Sequence, residues 1–546
     1  MKIKINNKEF DCKKGEVILD VALRNGIKIP AVCRHSDLEP QNSCRLCLIE
    51  IKGKGIYTSC STKVENGMEV TTESAEIKRL RRVNLELLFA QHIEQCNECN
   101  WSYKCRLLKL AKNYNIKITK FNDRKKGFPT HQFGPSIIFD SSKCIDCKNC
   151  IAMCQKQGVG FLEIKQKDGF FCTVSNKEKE CVYCGQCITH CPSGAFEEVS
   201  SIKEVENVLK KGNVIFQFAP AIRSSIGEEF GLPYGSITTG KLVTALKKLG
   251  AKKVFDVSFS ADITTIEEGK ELIERLSKNK NLPMFTSCCP SWVRYVEVYR
   301  PELIKHLTSV RSPHIILGGL IKMSEDNPIV VSIMPCTSKK YEVTREELMI
   351  DGVKPVDYVL TTREIGRMIR KNKIDFDQLE ESELDYPWGE PTGAGVIYGA
   401  SGGVMESALR TVYQKMTGKR LKDINLKAVR GLKGVKEAEI EIGKRKVKVA
   451  IINGLGNIEG FDYKKYDYIE VMACPGGCIG GGGQPIPINN EIRKKRAESL
   501  YNIDKKKKIR QAHENPFVEK AYKEYLNNKK IIHKICHTTY GNNKNK

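Results

Sequence analysis

The sequence predicts a multidomain α+β and α/β protein, in which three small modules precede one large α/β domain. The chain has 546 residues, which is enough for about three or four domains. It contains 23 cysteines, most of them in tight groups before residue 200. After residue 206, buried strand patterns alternate with helical ones. The predicted domains span residues 1–78, 79–136, 137–205 and 206–546.

The composition excludes several classes of protein. The cysteines fall in CxxC groups and several have no plausible partner, which argues against a disulfide framework. The chain begins on an alternating strand pattern and not on a charged and apolar leader, and no apolar run reaches the roughly 18 residues that span a bilayer. We therefore expect a cytoplasmic protein with no membrane association. The formal charge of +25 favours an acidic partner. Because the surplus is spread over many segments, we do not expect nucleic-acid binding.

Residues 1–78 are predicted to form a ferredoxin-like β-grasp module, because short alternating patterns surround a small helix near Val17–Leu23. Four of its cysteines are Cys33, Cys44, Cys47 and Cys60. A tight pair with one cysteine before it and one well after it suits a loop-bound [2Fe-2S] cluster, although the spacing is not that of plant ferredoxins. A structural zinc site is the alternative. Cys12 lies outside this set and is expected to pack as a small hydrophobe.

Residues 79–136 are helical in pattern and supply one imidazole and three thiols. These are His92, Cys96, Cys99 and Cys105. In isolation the set would suit zinc equally well, and the prediction of a [4Fe-4S] cluster rests on the cysteine motifs on either side. An imidazole in place of one thiolate makes such a cluster less negative, which tends to raise its potential.

Residues 137–205 contain two copies of the motif CxxCxxCxxxC, the second followed by Pro192. This is the pattern of a two-[4Fe-4S] ferredoxin, in which the fourth cysteine of each motif binds the other cluster. One predicted ligand set is Cys144, Cys147, Cys150 and Cys191. The other is Cys154, Cys181, Cys184 and Cys187. Zinc is the alternative. Gln155 stands where proline is usual after the first motif, and Cys172 between the motifs is predicted to be structural.

Residues 206–546 alternate buried strands with helices, which predicts parallel sheets covered on both faces and arranged in two lobes. The predicted strands are 213–218, 253–257, 329–333 and 449–452. Cys336 directly follows one of them, and such sheets bind ligands at the carboxyl ends of their strands. The sequence contains no P-loop and no GxGxxG turn between a strand and a helix.

Four segments of this domain predict a catalytic metal site. They are Thr286–Pro290 (TSCCP), Met334–Lys339 (MPCTSK), Met472–Cys478 (MACPGGC) and the glycine run Gly480–Gly483. Together they offer four thiolates for one cofactor, from Cys289, Cys336, Cys474 and Cys478. Cys288 sits directly beside one of these ligands and has no metal of its own. A spare acid–base group beside a cluster held by distant loops is typical of a catalytic centre.

The segments TSCCP, MPCTSKKYE and MACPGGCIGGGGQ resemble the signature motifs of [FeFe]-hydrogenases. The module order is similar to that of the long clostridial type with four accessory iron–sulfur clusters, over nearly the whole chain. The resemblance implies an H-cluster, a [4Fe-4S] cube joined to a two-iron unit with CO, cyanide and azadithiolate ligands. It also implies one [2Fe-2S] and three accessory [4Fe-4S] clusters. The implied reaction is 2H⁺ + 2e⁻ ⇌ H2, with ferredoxin or a similar acidic carrier exchanging electrons and maturation enzymes assembling the cofactor.

The same resemblance assigns residues to the H-cluster. The four cysteines of the signature segments would hold the cube, and Cys478 would also bridge to the two-iron unit. Lys339 would donate to a cyanide. The residues expected to flank the two-iron unit are Pro220, Met334 and Met472. Gly476 and Gly477, with the run from Gly480, would let the backbone approach a bulky cofactor because they lack side chains.

The resemblance also implies a proton path that ends at Cys288. Glu268 and Glu271 share one face of a predicted helix, and Arg275 follows by one turn. In the family the path runs from an exposed arginine and glutamate, through a serine and a second glutamate, to the cysteine. The serine position aligns with Thr308, which keeps the hydroxyl. A solvated charged helix face is the alternative for these residues.

Three function classes are compatible with the motifs, and a catalytic hydrogenase is favoured. Hydrogen sensors of the same fold usually lack a cysteine at position 288 and carry a signalling domain. Iron–sulfur assembly proteins of the hydrogenase-like kind lack the ligands for the two-iron unit and the [2Fe-2S] module.

Two residues near the site depart from the family pattern, since Ser291 stands where glycine is usual and His314 where glutamine is common.

Overall fold

The fold is taken from a computed structural model that describes residues 1–92, 96, 99–118, 120–167, 170–421 and 423–541, without the side chains of 166–172. The side chain of Cys172, predicted to be structural, therefore lies outside the described residues. Among the described residues, no helix combines the length and the apolar character that crossing a membrane requires.

The first module is a five-stranded sheet with one helix packed against it. Its elements are β1 (Lys2–Ile5), β2 (Lys8–Asp11), α1 (Ile18–Arg24), β3 (Leu48–Ile51), β4 (Gly55–Thr58) and β5 (Glu69–Thr71). The strand order is β2-β1-β5-β3-β4, with β1 and β5 parallel and the other neighbours antiparallel. Ile3 and Ile5 alternate into the core. Cys12 is buried in that core, so its predicted hydrophobic packing is confirmed.

The second module consists of two helices, α2 (Ala75–Phe89) and α3 (Arg106–Asn113). The Ser74 hydroxyl caps α2 by accepting the N–H of Ile77, so the helix begins shortly before the predicted boundary at residue 79. Apolar residues of both helices pack against the cysteine loops of the first and third modules. The three modules therefore share one buried region.

The third module contains the two cysteine motifs in matching local structures. Its elements are β6 (Thr130–Phe133), β7 (Ile137–Asp140), α4 (Asn149–Lys156), β8 (Leu162–Lys167), β9 (Phe170–Ser175), α5 (Gln186–Thr189) and β10 (Phe196–Glu198). Lys148 and Gly185 take left-handed conformations immediately before α4 and α5. The tight turn in each motif lets the backbone bend around a common centre.

The large domain is built on two four-stranded sheets. Its strands are β11 (Val214–Phe218), β12 (Lys253–Asp256), β13 (Met284–Phe285), β14 (Ile329–Met334), β15 (Tyr358–Thr361), β16 (Val435–Ile442), β17 (Arg445–Asn453) and β18 (Tyr468–Met472). The first sheet has the order β12-β11-β14-β15 and all its neighbours are parallel, as predicted. Its central strand β11 is buried at every residue, which explains its continuous apolar sequence.

The second sheet, β13-β18-β17-β16, corrects the prediction of two parallel lobes. β18 is parallel to β13 and to β17, but β16 and β17 pair antiparallel. Their connection is a two-residue loop with Gly443 at φ 64°, and so short a connection can only join antiparallel strands.

Helices cover both sheets of the large domain. They are α6 (Ile202–Lys211), α7 (Thr239–Lys248), α8 (Val257–Lys278), α9 (Pro290–Tyr299), α10 (Pro313–Ser324), α11 (Ser338–Glu342), α12 (Thr362–Lys371), α13 (Gly393–Val396), α14 (Gly403–Thr417), α15 (Asn490–Lys506), α16 (Pro516–Glu524) and α17 (Lys529–Cys536). The long helix α8 follows β12 directly, since the Asp256 carboxylate caps it through the N–H of Ser258. It contacts α10, α13, α14 and α16.

Candidate active site and metal centres

A cavity lies where the carboxyl ends of the two sheets meet. Pro220 after β11 forms part of its wall. The loop after β13 contributes Cys289, and the loop after β14 contributes Cys336. The loop after β18 contributes Cys474 and Cys478. Because parallel strands end at one edge of a sheet, thiols that are distant in sequence meet at one place.

The four thiols are close enough to perturb one another. Burial, followed by the charge of Cys289, raises the pKa of Cys336 to about 12. Burial, followed by the charges of Cys336 and Cys289, raises the pKa of Cys478 to about 12. Burial also raises the pKa of Cys289, against the N–H groups of Ala473 and Trp292. Such thiols become thiolates when a metal cluster supplies the compensating positive charge. This donor set therefore fits an iron–sulfur cube.

Lys339 is held at the cavity wall by a buried ion cluster. Its ammonium donates to the carbonyl of Cys288 at 3.2 Å and to Glu342 at 2.7 Å. Although burial opposes it, the charge of Glu342 raises the pKa of Lys339. Glu342 also binds the Nε2 of His314, whose Nδ1 lies 3.2 Å from Ser332. Burial and the charge of Lys339 lower the pKa of His314 to about 4, so the ammonium is the cation that faces the cavity.

The rest of the wall is mainly apolar and includes the two positions that depart from the family pattern. Met334 and Met472 are among its apolar lining residues, and Tyr398, Ser291 and His314 are among its polar ones. The Tyr398 hydroxyl points away to Thr265 at 2.8 Å. The predicted flanking residues Pro220, Met334 and Met472 thus come together around the same space as the four thiols.

The glycines of the last signature segment allow close packing of backbones. Gly477 lines the cavity with φ 86°, and a Cβ there would lie 2.7 Å from the Ser401 nitrogen. Gly481 also lines the cavity, and a Cβ there would lie 2.0 Å from the Pro335 carbonyl oxygen. Gly476 has φ 80° but lies behind the wall. In this structure these glycines bring the segment against neighbouring loops.

Cys288 faces the cavity and lies near a buried carboxyl group. It ends the extended segment after β13, and α9 begins two residues later at Pro290, a favoured residue at a first helical position. Burial, followed by the charge of Glu268, raises the pKa of Cys288. Burial also raises the pKa of Glu268 to about 8, although the Tyr468 hydroxyl donates to its Oε1 at 2.7 Å. A carboxyl group of raised pKa thus lies close enough to the spare thiol to act on it electrostatically.

The outer members of the predicted path form a connected hydrogen-bond group. The Thr308 hydroxyl donates to Glu271 Oε2 at 2.8 Å, and Arg275 pairs with Glu271 Oε1. Glu271 also accepts the hydroxyl of Ser309 at 2.9 Å. Among the described residues, no hydrogen bond joins Thr308 to Glu268. A water molecule between Thr308 and Glu268 would connect the outer residues of the path to the inner ones, because a bridging water can replace a direct hydrogen bond at modest cost.

The four predicted ligand cysteines of the first module lie together in two buried pairs. A hydrogen bond from Cys44 lowers the pKa of Cys33, and one from Cys60 lowers the pKa of Cys47. All four side chains are buried. The structure therefore brings the predicted [2Fe-2S] ligands to one place.

In the second module, His92 is buried, and a hydrogen bond to the backbone orients its ring. Its Nδ1 lies 2.8 Å from the carbonyl oxygen of Lys143, and burial lowers its pKa. A neutral ring bound in this way leaves Nε2 as the ligand atom, as in many metal-binding histidines. Burial raises the pKa of Cys105, and the charge of Cys99 adds to this effect, so these two thiols lie close together. The segments 93–95 and 97–98 around Cys96 lie outside the described residues.

In the third module, the eight cysteines of the two motifs lie close to one another. Burial, followed by the charges of Cys150, Cys191 and Cys144, raises the pKa of Cys147. Burial, followed by the charges of Cys184, Cys181, Cys150 and Cys154, raises the pKa of Cys187. The neighbours of Cys147 and of Cys187 thus include the members of their own predicted groups, and the charge of Cys150 on Cys187 shows that the two groups adjoin.

The cysteine groups form a continuous series that ends at the cavity. The first module contacts the third where the Ser43 hydroxyl donates to the Cys147 carbonyl at 3.5 Å. The second module approaches the third near Cys105, whose pKa the charge of Cys191 helps to raise. At the inner end, Cys474 Sγ lies 3.9 Å from the Cys184 carbonyl.

The contact at the inner end is made by two glycines. A Cβ at Gly482 would lie 2.5 Å from the Cys184 carbonyl oxygen, and one at Gly185 would lie 2.3 Å from Thr337 Oγ1. The Thr337 hydroxyl also donates to the Tyr183 carbonyl at 2.8 Å. The third module therefore packs directly on the loops that form the cavity.

Sequence reasoning missed several residues at the site. Glu342 lies three residues after Lys339 on α11, and this spacing was a usable signal. Tyr398, Tyr468 and Ser309 carry no local signal, because their partners are distant in sequence.

Known family models match the first module, the third module and most of the large domain. The family model for the iron only hydrogenase large subunit, C-terminal domain, matches residues 212–482. The 2Fe-2S iron-sulfur cluster binding domain matches residues 1–75, and the 4Fe-4S dicluster domain matches residues 143–195. The iron hydrogenase small subunit matches residues 490–543.

Individual relatives match over the same regions. The chain is 39% identical to Iron hydrogenase 1 from Clostridium pasteurianum, over 98% of this chain and 99% of that protein. It is 37% identical to NADP-reducing hydrogenase subunit HndD from Solidesulfovibrio fructosivorans, over 98% of both. A solved structure of a variant of apo [FeFe]-hydrogenase HydA1 from Chlamydomonas reinhardtii aligns with a TM-score of 0.56 and 35% identity. That alignment covers 63% of this chain and 99% of that chain.

Proposed function

Because the chain belongs to the [FeFe]-hydrogenase, or iron-only hydrogenase, family, we propose that its cavity is where protons and electrons combine to form H2. The protein is a hydrogenase, an oxidoreductase that interconverts protons, electrons and H2. One observation carries the assignment of the site. Four thiols and the additional thiol of Cys288 converge in a cavity at the inner end of a continuous series of cysteine groups.

We propose that Cys289, Cys336, Cys474 and Cys478 hold the cube of an H-cluster and that Cys478 bridges to its two-iron unit. Soft thiolates suit iron and sulfide. When bound, this cofactor supplies redox chemistry at iron atoms that carry CO, cyanide and azadithiolate ligands, which no side chain can provide. The Lys339 ammonium lies at the cavity wall and would donate to a cyanide. Pro220, Met334 and Met472 would exclude water from the two-iron unit, with Gly476 and Gly477 supporting the loop.

The remaining ligand groups are proposed to carry electrons. They would hold one [2Fe-2S] cluster and three [4Fe-4S] clusters, one of these with His92 as a ligand. The convergence of thiols in each module supports this assignment. Since both N-terminal modules contact the third module, electrons could enter through either.

The proposed proton path runs from Arg275 and Glu271 through Thr308 and Glu268 to Cys288. Glu268 is suited to this role because its raised pKa of about 8 lets it both hold and release a proton near neutral pH. The outer residues keep their hydrogen bonds in one connected group. Cys288 gives the path a protein group that faces the cavity.

The proposed electron partner is ferredoxin or a similar acidic carrier. Residues 79–136 contain 12 Lys and Arg against 4 Asp and Glu, whereas residues 1–78 contain 13 against 11. An acidic carrier would therefore be attracted to the second module more than to the first. The similarity to HndD, named as a subunit of an NADP-reducing hydrogenase, makes a partner subunit the alternative acceptor.

We also propose that maturation enzymes insert the two-iron unit and that the protein acts in the cytoplasm, where its cysteines stay reduced.

The decisive experiment measures H2 production from reduced methyl viologen by protein loaded with its two-iron cofactor. Vigorous production supports a catalytic hydrogenase. A fully loaded protein that binds H2 without turnover would support a sensor instead.

A further inference from the structure

A solvent-facing depression lies at the outer end of the proposed proton path. Its walls include Glu267, Glu271, Arg275, Ser309 and His537. His537 follows the last helix, α17, so the C-terminal segment of the chain closes this side of the depression. Its side chain is 16% exposed, which places the imidazole between the protein interior and solvent.

His537 bridges two carboxylates of α8. Its Nδ1 lies 2.9 Å from the Ser309 hydroxyl, which donates to Glu271 Oε2 at 2.9 Å. Its Nε2 lies 3.3 Å from Glu267 Oε2. The imidazole therefore has an acceptor at each nitrogen, one of them through a hydroxyl that can pass a proton onward.

Charged groups surround the ring and the two carboxylates that it bridges. Glu267 is ionised, because hydrogen bonds from His537, Lys270 and Tyr522 outweigh burial and lower its pKa to about 2. Lys270 binds Glu267 at 2.7 Å, while Arg275 pairs with Glu271. Two further neighbours also face the ring region, since Arg311 donates to the backbone carbonyl of His537 and the exposed His533 ring stacks on it.

We propose that His537, acting through Ser309, is the surface proton-relay residue of this hydrogenase. The inference rests on the proposed path through Glu271. A neutral ring with its proton on Nδ1 takes a proton at Nε2 from hydronium in the depression, and this Nε2–H then donates to Glu267. The Nδ1–H bond then breaks as Ser309 Oγ takes that proton and gives its own to Glu271 Oε2. Exchange with water restores the first tautomer, and H2 oxidation uses the same steps in reverse.

The test uses the full chain loaded with its two-iron cofactor and compares His537→Ala, His537→Gln and the matched control His533→Ala. His537→Ala should lower turnover roughly tenfold, less than the loss of a general acid, because water in the depression replaces part of the relay. Added imidazole should restore the rate and shift its pH dependence toward that of wild type. His537→Gln keeps a hydrogen-bonding side chain but cannot relay a proton, so it should behave like the alanine variant. His533→Ala should leave turnover unchanged.

Infrared bands of CO and cyanide should be unchanged in all three variants. Wild-type turnover in His537→Ala would overturn the proposal, and so would a loss that glutamine repairs and imidazole does not. Glu271→Ala separates this proposal from the path it rests on. If that variant loses turnover while His537→Ala does not, only the histidine relay is wrong. If Glu271→Ala keeps full turnover, the path itself is wrong.

Discussion

Replacing Tyr468 with phenylalanine should move the pH dependence of hydrogen turnover toward higher pH. The Tyr468 hydroxyl donates to the Glu268 carboxylate and opposes the effect of burial on its pKa. Without this donor the ionised carboxylate loses stabilisation, so Glu268 keeps its proton to higher pH. Tyr468 is fully buried in β18, and phenylalanine preserves its packing.

The expected shift follows from the strength of the lost hydrogen bond. A hydrogen bond to a charged group is worth about 1.5–3 kcal/mol, and one pKa unit corresponds to about 1.4 kcal/mol. The pKa of Glu268, about 8 in the native chain, should therefore rise by roughly one to two units. In H2 oxidation Glu268 must accept a proton, so the rising limb of the rate against pH should move upward by the same amount.

The assay is H2 oxidation with a viologen acceptor across the pH range, on protein with unchanged infrared bands. Tyr466→Phe is the matched control, since Tyr466 donates to the surface residue Glu437 and has no contact with the path. A rising limb that stays at the wild-type pH in Tyr468→Phe would refute the reasoning. It would show that Glu268 does not carry the transferred proton.

Further perturbations test the site, the cofactor and the electron partner. Cys288→Ala should keep the infrared bands and cluster content but remove nearly all turnover, and Cys288→Asp should recover part of it because a short proton carrier is restored; near wild-type H2 evolution by the alanine variant would contradict the path. Thr308→Val should be milder, because water can replace the hydroxyl. Protein made without maturation enzymes should contain its cubane clusters and show no activity, whereas full activity would exclude an inserted two-iron unit. Added salt should lower ferredoxin-dependent turnover more than methyl viologen turnover. The double charge reversal K109E/K112E in the second module should lower ferredoxin-dependent turnover more than K13E/K14E in the first module does. Equal effects of the two double variants would argue against docking on the second module.

The cysteine groups could be predicted because their chemistry is written in local spacing. The CxxC pairs of the accessory modules place two thiols within a few residues of each other, so the ligand groups are recognisable without knowledge of the fold. The parallel sheet β12-β11-β14-β15 could also be predicted, since its strands are buried on both faces and read as continuous apolar runs. The antiparallel β16–β17 hairpin was missed, although two alternating runs joined by a short loop at Gly443 are a hairpin signal.

The contacts around the proton path could not be predicted in this way. Tyr468 is 200 residues from Glu268 in sequence, and His537 is 228 residues from Ser309. Neither pair has a spacing that a helix or a hairpin would impose. Such contacts depend on how β18 and the C-terminal segment pack against α8, which is a property of the folded chain.

The glycine contact between the third module and the cavity loops restricts how this enzyme can be re-engineered. Gly185 and Gly482 leave no room for a side chain between Cys184 and the segment that carries Cys474. A foreign ferredoxin grafted in place of residues 137–205 would need the same flat surface at this point, whatever clusters it carries. A donor module is therefore best chosen by the shape of its loop at the position of Cys184 and Gly185. Its redox potential is the second criterion.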